Sequence, residues 1–312
     1  MDPSIPRPKG AKSKKNHLIN PAIQHGYITT KDHTRIFYSS EGTGLPLVFC
    51  YGLVCSSLHW TYQIDYFQKN YQSIWFDYRG HQNSDRPKNL NSLNIETITS
   101  DLKQLLDELE IDKAVFIGHS MGVNVILDLF RQAPERVHGM VLSNGTARQP
   151  LDSIFKINAF KGIFQLLQKA HGKVPQVFEF LWKRQKANPF IKALVSLGGF
   201  NPSLTHEKDI ELYIQQVANM DPEIFFNLIQ NYDRYDATAW LHTIKAPALI
   251  LSGEIDFVIP TEQQELMHQL MPNSRLEIIR QGSHCPQMDL HELVNLKIEK
   301  FLKEIQFIEK NA

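Results

Sequence analysis

The chain has 312 residues and a formal net charge of zero at pH 7, because 33 Lys and Arg residues balance 33 Asp and Glu residues. This length fits two domains or one large α/β domain with an insertion, and a hydrophobic content of 42% supports a sizeable core. The balanced charge offers no basic surface for a phosphate backbone, so nucleic acid is excluded as a main partner.

The cysteine content and the hydropathy pattern predict the compartment. Three cysteines are too few for a disulfide framework, and their spacing does not match a zinc finger. The first twenty residues contain no apolar run long enough for a signal peptide, and no later stretch approaches the ~18 apolar residues of a membrane span. We therefore expect a cytoplasmic protein without stable membrane insertion.

The N-terminal residues are rich in lysine. The basic cluster from Arg7 to Lys15 predicts a flexible, solvated arm over residues 1–19. Weak association of this arm with an anionic surface is the alternative interpretation.

Short apolar strands alternate with longer helices along the chain. Residues 26–38 predict a β-hairpin, and buried strands are predicted at PLVFCY, SIWFDY, KAVFI, GMVLS, PALILS and RLEII. A helix is predicted after Asn94, where IETITSDLKQLLDELEI places its apolar residues on one face, and a further helix is predicted near the C-terminus. Apolar strands separated by helices indicate an α/β protein with a mainly parallel sheet, covered on both faces.

The alternation is interrupted once. About ninety residues between GMVLS and PALILS contain no predicted strand but several amphipathic helical stretches. We therefore predict a helical cap over residues 148–235, inserted into a core of residues 20–147 and 236–312. Apolar side chains at helical spacing, such as Ile163 and Leu167, predict an apolar roof over that core.

Ser120 lies in the segment Gly-His-Ser-Met-Gly, directly after the predicted strand KAVFI and directly before a helix. A nucleophile in such a tight turn needs small neighbours two residues away, and Gly118 and Gly122 meet that need. The turn would aim the Ser120 hydroxyl outward and place the Met121 amide at a helix N-terminus, where negative charge is stabilised. Ser120 is therefore the candidate nucleophile, and Met121 is a candidate oxyanion donor.

A serine hydroxyl needs a base to remove its proton, and that base needs an acid to orient it. The loop after RLEII carries His284, and the loop after PALILS carries Glu254 and Asp256. We predict His284 as the base, because the competing histidines lie in predicted helices, in an earlier turn or beside the nucleophile. We predict Asp256 as the acid in preference to Glu254, which lies nearer the strand.

The loop after PLVFCY completes the predicted site. Gly52 allows the chain to turn there, and the amide of Leu53 is the predicted second oxyanion donor. No glycine-rich loop for a dinucleotide or a phosphate is found, and the histidines lack the spacing of a zinc site. We therefore expect no cofactor and no metal.

These motifs resemble the α/β-hydrolase superfamily, in the group with a helical cap and a Ser, Asp, His triad. The resemblance covers about residues 26–147 and 236–308 and rests on GHSMG, DYRGHQNS, AWLHTIKAPALILSGEIDFVIP and GSHCPQMD. It implies the α/β-hydrolase fold, with a mainly parallel eight-stranded sheet. The chain differs from the family at Tyr51, where relatives usually carry histidine. Ser120 argues against the haloalkane dehalogenase and epoxide hydrolase branches, whose nucleophile is a carboxylate.

The resulting functional hypothesis is a serine hydrolase that cleaves a carboxylic ester through an acyl-enzyme on Ser120. The predicted partner is a small ester with an apolar acyl or alkyl group, as in esterases and lipases. The same three residues also serve thioesterases, carbon–carbon bond hydrolases and acyltransferases, so these stay alternatives. A non-catalytic protein that binds a hydrophobic ligand is an alternative of a different class. The sequence makes no prediction of the oligomeric state.

Overall fold

The structure is a computed structural model that describes residues 23–152, 160–184 and 189–308. The predicted N-terminal arm, residues 1–19, lies outside the described residues. The centre of the fold is one eight-stranded sheet. Its strands in chain order are β1 (Ile23–Thr29), β2 (Arg35–Glu41), β3 (Pro46–Cys50), β4 (Gln72–Phe76), β5 (Ala114–His119), β6 (Val137–Ser143), β7 (Ala248–Gly253) and β8 (Ser274–Ile279).

The sheet has the spatial order β1-β2-β4-β3-β5-β6-β7-β8. β2 is antiparallel to both β1 and β4, and every other neighbouring pair is parallel. The predicted hairpin is confirmed as β1 and β2, which are joined by a turn in which the Thr30 amide donates to the Thr34 carbonyl at 3.0 Å. The mainly parallel sheet predicted from the apolar strands is therefore confirmed.

Helices connect most of the parallel strands. The described α-helices are α1 (Thr61–Phe67), α2 (Ile95–Glu108), α3 (Met121–Gln132), α4 (Phe160–Lys173), α5 (Pro175–Arg184), α6 (Pro189–Gly199), α7 (Glu207–Asn219), α8 (Pro222–Tyr232), α9 (Thr261–Leu270), α10 (Pro286–Asp289) and α11 (His291–Glu304). Asn94 caps α2 as predicted, because its side-chain oxygen accepts a hydrogen bond from the Thr97 amide at 2.8 Å. None of the described helices is long and apolar enough to cross a membrane.

The strand order determines where a site can form. Every residue of β5 and β7 is buried, as expected for parallel strands with both faces covered. β5 lies between β3 and β6, and β7 follows β6 in the sheet. Because these strands are parallel, the loops after β3, β5, β6, β7 and β8 all emerge at the same edge.

The described residues between β6 and β7 form helices and no strand. We call α4 to α8 the helical insertion; they lie within the predicted cap, whose limits at 148 and 235 stay a prediction. Phe164 of α4 is buried and packs against Phe226 of α8, with ring centroids 5.5 Å apart. Ile163 and Leu167, two of the apolar residues from which the roof was predicted, are 51% and 45% exposed.

A buried ion pair attaches the loop after β4 to α2. Arg79 donates two hydrogen bonds to the carboxylate of Asp101, at 2.8 and 2.7 Å, and both side chains are almost fully buried. The remaining guanidinium nitrogen of Arg79, Nη1, donates a hydrogen bond to the Asp32 carboxylate at 2.8 Å. A two-pronged arginine and carboxylate contact of this kind fixes the relative position of the two segments.

We expect Asp101→Ala to lower the free energy of unfolding by about 3–5 kcal/mol, because it leaves the Arg79 guanidinium buried without its main partner. Urea denaturation measures this loss. Asp85→Ala is the matched control: Asp85 also makes a two-pronged contact, with Arg35, but both side chains of this pair are exposed to solvent. The control is expected to cost less than about 1 kcal/mol. Equal losses in the two variants would show that burial of the Arg79 pair adds nothing.

Candidate active site

Ser120 occupies the sharp turn between β5 and α3. Its backbone has φ +53° and ψ −120°, a conformation that a residue with a side chain rarely adopts. A Cβ atom on Gly122 would overlap the carbonyl group of Cys50, and one on Gly118 would lie 2.8 Å from the Gly122 carbonyl oxygen. The two glycines therefore let α3 approach the sheet, as their spacing around Ser120 predicts.

His284 and Asp256 lie side by side in the loops after β8 and β7. Nδ1 of His284 is 2.9 Å from Oδ2 of Asp256. An ionised carboxylate can only accept, so the proton is on Nδ1 and Nε2 is left as an acceptor. Glu254, the alternative acid, instead accepts a hydrogen bond from the Gln281 amide near the surface. The structure thus brings together the two residues that were predicted as base and acid.

The Asp256 carboxylate is held on both of its oxygens. Oδ1 accepts hydrogen bonds from the amides of Val258 and Ile259, at 2.8 and 2.9 Å. Oδ2 accepts a hydrogen bond at 2.8 Å from the side-chain amide of Asn144, the residue that directly follows β6. Sequence analysis did not identify Asn144, although it follows a buried strand, and the loop after a buried strand is also where Asp256 was predicted.

An apolar cavity of about 240 Å³ opens beside these residues. Ser120 and His284 lie on its wall together with Leu53, and the rest of the lining is mostly apolar. Within the described part of the chain, no hydrogen bond joins the Ser120 hydroxyl to the His284 ring. Catalytic hydrogen bonds are often long in ligand-free sites and tighten when substrate binds, so this geometry is compatible with proton transfer.

The predicted oxyanion donors lie on both sides of Ser120. Met121 is the first residue of α3, so its amide has no partner within the helix. A Cβ atom on Gly52 would lie 3.0 Å from Cβ of Ser120, which places the loop containing Leu53 against the nucleophile. In that loop, as described, the Leu53 amide makes no hydrogen bond to another part of the protein.

Tyr51 does not enter the cavity. Its hydroxyl accepts a hydrogen bond from the Tyr78 amide at 2.9 Å, and its carbonyl accepts one from the Tyr78 hydroxyl at 2.8 Å. The loop then continues with Val54 at φ +56°, and the Cys55 amide donates to the Gly52 carbonyl at 3.3 Å. The tyrosine therefore ties the start of the loop to the end of β4 and leaves the side of the loop toward Ser120 open.

His119 lies beside His284, the candidate base, and holds its backbone. Its Nε2 is 2.8 Å from the backbone carbonyl of His284, so it donates a hydrogen bond there, and the two rings lie 4.8 Å apart. Burial lowers the pKa of His119 well below its ordinary value, which keeps the ring neutral. His119 is thus a positioning residue that the sequence analysis did not assign.

We expect the protein to lose stability in mild acid because of its buried histidines. Burial lowers the pKa of His59 and of His81 to about 4, whereas an unfolded histidine titrates near ~6.5. Between these two pH values only the unfolded state takes up protons, so each histidine lowers the free energy of unfolding by about 1.4 kcal/mol per pH unit as the pH falls.

Urea denaturation between about pH 7 and pH 4 measures this slope. His59→Phe keeps an aromatic ring but removes one titrating group. The slope of the free energy of unfolding against pH should therefore be smaller in this variant by about 1.4 kcal/mol per pH unit, which corresponds to one proton. A slope unchanged by this substitution would contradict the assignment.

Across the described ranges, no three His, Cys, Asp or Glu side chains are grouped in a way that could hold a metal ion. Cys285 follows His284 and is buried, and burial raises the pKa of its thiol well above the ordinary value. The arrangement therefore offers the chemistry of a hydroxyl, an imidazole and a carboxylate.

Comparison with known proteins identifies the family. Residues 46–289 match the family described as alpha/beta hydrolase fold. Among curated relatives, mouse epoxide hydrolase 4 is 28% identical over 92% of this chain and 82% of its own length. Mouse bifunctional epoxide hydrolase 2 is 25% identical over 91% of this chain, which spans only 56% of that relative.

Solved structures share the same architecture. A thermophilic esterase from Thermogutta terrifontis superposes with a TM-score of 0.72 at 24% identity, covering 90% of this chain and 99% of the esterase. An esterase from Exiguobacterium antarcticum superposes with a TM-score of 0.73 at 20% identity, covering 89% of this chain and 98% of that esterase. At these identities the likeness concerns the fold alone. From the match over residues 46–289 and the sheet described above, the chain belongs to the alpha/beta hydrolase fold family.

Proposed function

We propose that this chain is a serine hydrolase that cleaves carboxylic esters through an acyl-enzyme on Ser120. The observation that carries the proposal is the 2.9 Å hydrogen bond to Asp256 from His284, which lies in the same cavity wall as Ser120. This bond fixes the histidine tautomer that can accept a proton from a serine hydroxyl. The positive φ of Ser120 supports the same role, because strained nucleophiles are typical of this turn.

The proposed reaction follows from these positions. His284 takes the proton of Ser120 as the hydroxyl oxygen attacks the ester carbonyl, and Asp256 stabilises the resulting imidazolium. The amides of Met121 and Leu53 donate hydrogen bonds to the oxyanion of the tetrahedral intermediate. His284 then gives its proton to the leaving alcohol, and water repeats the sequence to release the acid.

The cavity sets the proposed substrate class. Its walls are mostly apolar, with side chains such as Val195, Phe200 and Ile229 contributed by the helical insertion. A volume of about 240 Å³ lies just below the roughly 300–1,000 Å³ that is typical of ligand pockets. We propose esters with a short apolar group as substrates.

Epoxide opening is the second candidate, because several curated relatives are named epoxide hydrolases. Attack of a serine oxygen on an epoxide carbon would form an ether, which water does not cleave, whereas attack of a carboxylate forms an ester that can turn over. Asp256 cannot serve as that carboxylate, because its side chain is fully buried and bonded to His284. The chemistry of the site therefore favours ester hydrolysis over epoxide hydrolysis.

A substrate panel tests the proposal. It contains p-nitrophenyl esters of increasing chain length, the matching thioesters and styrene oxide, and a fluorophosphonate probe reports on Ser120 directly. We expect ester hydrolysis that declines as the chain becomes longer, labelling by the probe and no diol from the epoxide. Faster thioester cleavage would favour the thioesterase alternative. A folded protein that binds a hydrophobic ligand but is not labelled would favour the non-catalytic alternative.

A further inference from the structure

The outer side of α4 and α5 carries a concentration of exposed apolar side chains. Between residues 163 and 181, seven large apolar residues are each 45 to 67% exposed. We call them the outer apolar patch, which consists of Ile163, Leu166, Leu167, Val174, Val177, Phe180 and Leu181. The other large exposed apolar residues of the described chain are spread from Tyr27 to Ile308. Exposed apolar side chains concentrated on two consecutive helices in this way indicate a contact site for a partner or a membrane.

The patch is not needed to attach the two helices to the protein. Their inner side already packs on α8, where Phe164 and Phe178 lie 5.5 and 5.6 Å from the Phe226 ring. Trp182 adds a hydrogen bond to the Val217 carbonyl at 3.0 Å. The helices therefore present one apolar side to the protein and a second apolar side to solvent.

The two helices that carry the patch are rich in basic side chains. In contrast to the balanced charge of the whole chain, residues 160–184 contain one acidic residue, Glu179, and five basic ones. The basic residues are Lys161, Lys169, Lys173, Lys183 and Arg184. The Arg184 guanidinium lies 4.2 Å from the ring centroid of Phe180, and Lys161 pairs with Asp233. Apolar side chains bordered by cations complement a surface of anionic headgroups over acyl chains.

The inner side of the same helices leads to the cavity. Phe164, Phe226 and Ile229 form one buried cluster, and Leu53 of the predicted oxyanion loop packs against it. Ile229 and Leu53 both line the cavity beside Ser120. A lipid surface bound on the outer side would therefore lie across two helices from the site that takes an apolar substrate.

We propose that the outer apolar patch docks onto the surface of an anionic lipid bilayer. The apolar side chains enter the boundary between headgroups and acyl chains, and the lysines and Arg184 contact the lipid phosphates. Docking of this kind holds the protein on the surface without a membrane-spanning helix. The proposal does not depend on ester hydrolysis, since it concerns binding alone.

Flotation with vesicles tests the proposal on the full chain. One set of vesicles contains phosphatidylcholine alone, and the other, mixed set contains equal amounts of phosphatidylcholine and phosphatidylglycerol. We expect binding to the mixed vesicles, little binding to phosphatidylcholine alone, and a loss of binding as salt screens the charges. The double variant Leu166→Glu with Leu181→Glu should bind the mixed vesicles at least about tenfold more weakly.

Two further variants serve as controls. Leu296→Glu makes the same change at an exposed leucine of α11, outside the patch, and should bind as the unmodified protein does. Lys169→Gln with Lys183→Gln leaves the apolar residues intact and should weaken binding to the mixed vesicles by about tenfold. Circular dichroism confirms that each variant is folded.

A different membrane-binding segment, or a different partner of the patch, would give distinct results. Glutamine in place of Lys9, Lys12, Lys14 and Lys15 tests the N-terminal arm, and loss of vesicle binding in this variant alone would overturn the proposal. A protein that binds neither set of vesicles, but forms dimers, could use the patch to bind a second copy of the chain. Dissociation of these dimers into monomers in the variant Leu166→Glu with Leu181→Glu would assign the patch to that second copy. Vesicle binding that is unchanged in the variant Leu166→Glu with Leu181→Glu would also overturn the proposal.

Discussion

Replacement of Ser120 with alanine is expected to lower kcat for ester hydrolysis by about 10⁶-fold, the loss typical of removing a serine nucleophile. The remaining activity would come from the oxyanion donors and the cavity, which can still bind substrate and polarise its carbonyl. The measurement is the hydrolysis rate of the best p-nitrophenyl ester from the panel. Labelling by the fluorophosphonate probe should be lost in the same variant.

The interpretation of Ser120→Ala requires that the fold is intact. Alanine and serine both carry a Cβ atom, so the turn at φ +53° is equally strained in both proteins and the melting temperature should be nearly unchanged. His284 and Asp256 do not rely on the Ser120 hydroxyl for their own hydrogen bond, and their geometry should persist. A folded Ser120→Ala protein that keeps its hydrolysis rate would show that another residue is the nucleophile.

The sequence predicted the sheet well, because the relevant signals are local. The runs AVFI within KAVFI and ALIL within PALILS are apolar at every position, as expected for parallel strands with both faces covered. Ser120, Asp256 and His284 were located because each lies in a loop that follows a predicted strand. Two of these residues meet in a hydrogen bond, and all three loops emerge at one edge of the sheet.

The contacts that support the site depend on strand order, which local patterns do not contain. Asn144 reaches Asp256 because β6 lies between β5 and β7 in the sheet, and nothing near residue 144 in the sequence states that order. His119 likewise contacts the His284 carbonyl only because the loop after β8 folds back over β5.

The outer side of α4 shows a second limit of periodicity. Apolar residues at helical spacing define a stripe, but the spacing alone does not tell whether protein or solvent covers it. Phe164 belongs to the inner stripe and is buried, whereas Ile163 and Leu167 belong to the outer one. Distinguishing the two stripes required the position of α8.

Asp256→Asn is expected to lower kcat by about 10⁴-fold, although the substituted side chain has almost the same shape. The amides of Val258 and Ile259 donate to Oδ1, so the carbonyl oxygen of the new amide will face them. Its NH2 group then faces Nδ1 of His284. A donor at that position favours the tautomer with the proton on Nε2, which cannot accept a proton from Ser120.

Two matched variants separate this effect from a loss of structure. Glu254→Gln makes the same chemical change two residues away, on a side chain whose hydrogen bond within the described ranges goes to the Gln281 amide, and should keep nearly full activity. Asn144→Ala removes one hydrogen bond to Oδ2 of Asp256 but leaves the carboxylate charge, so its loss should be much smaller than that of Asp256→Asn. The reverse order, with Glu254→Gln the more damaging, would mean that Glu254 and not Asp256 orients the base, and the 2.9 Å contact would then be structural only.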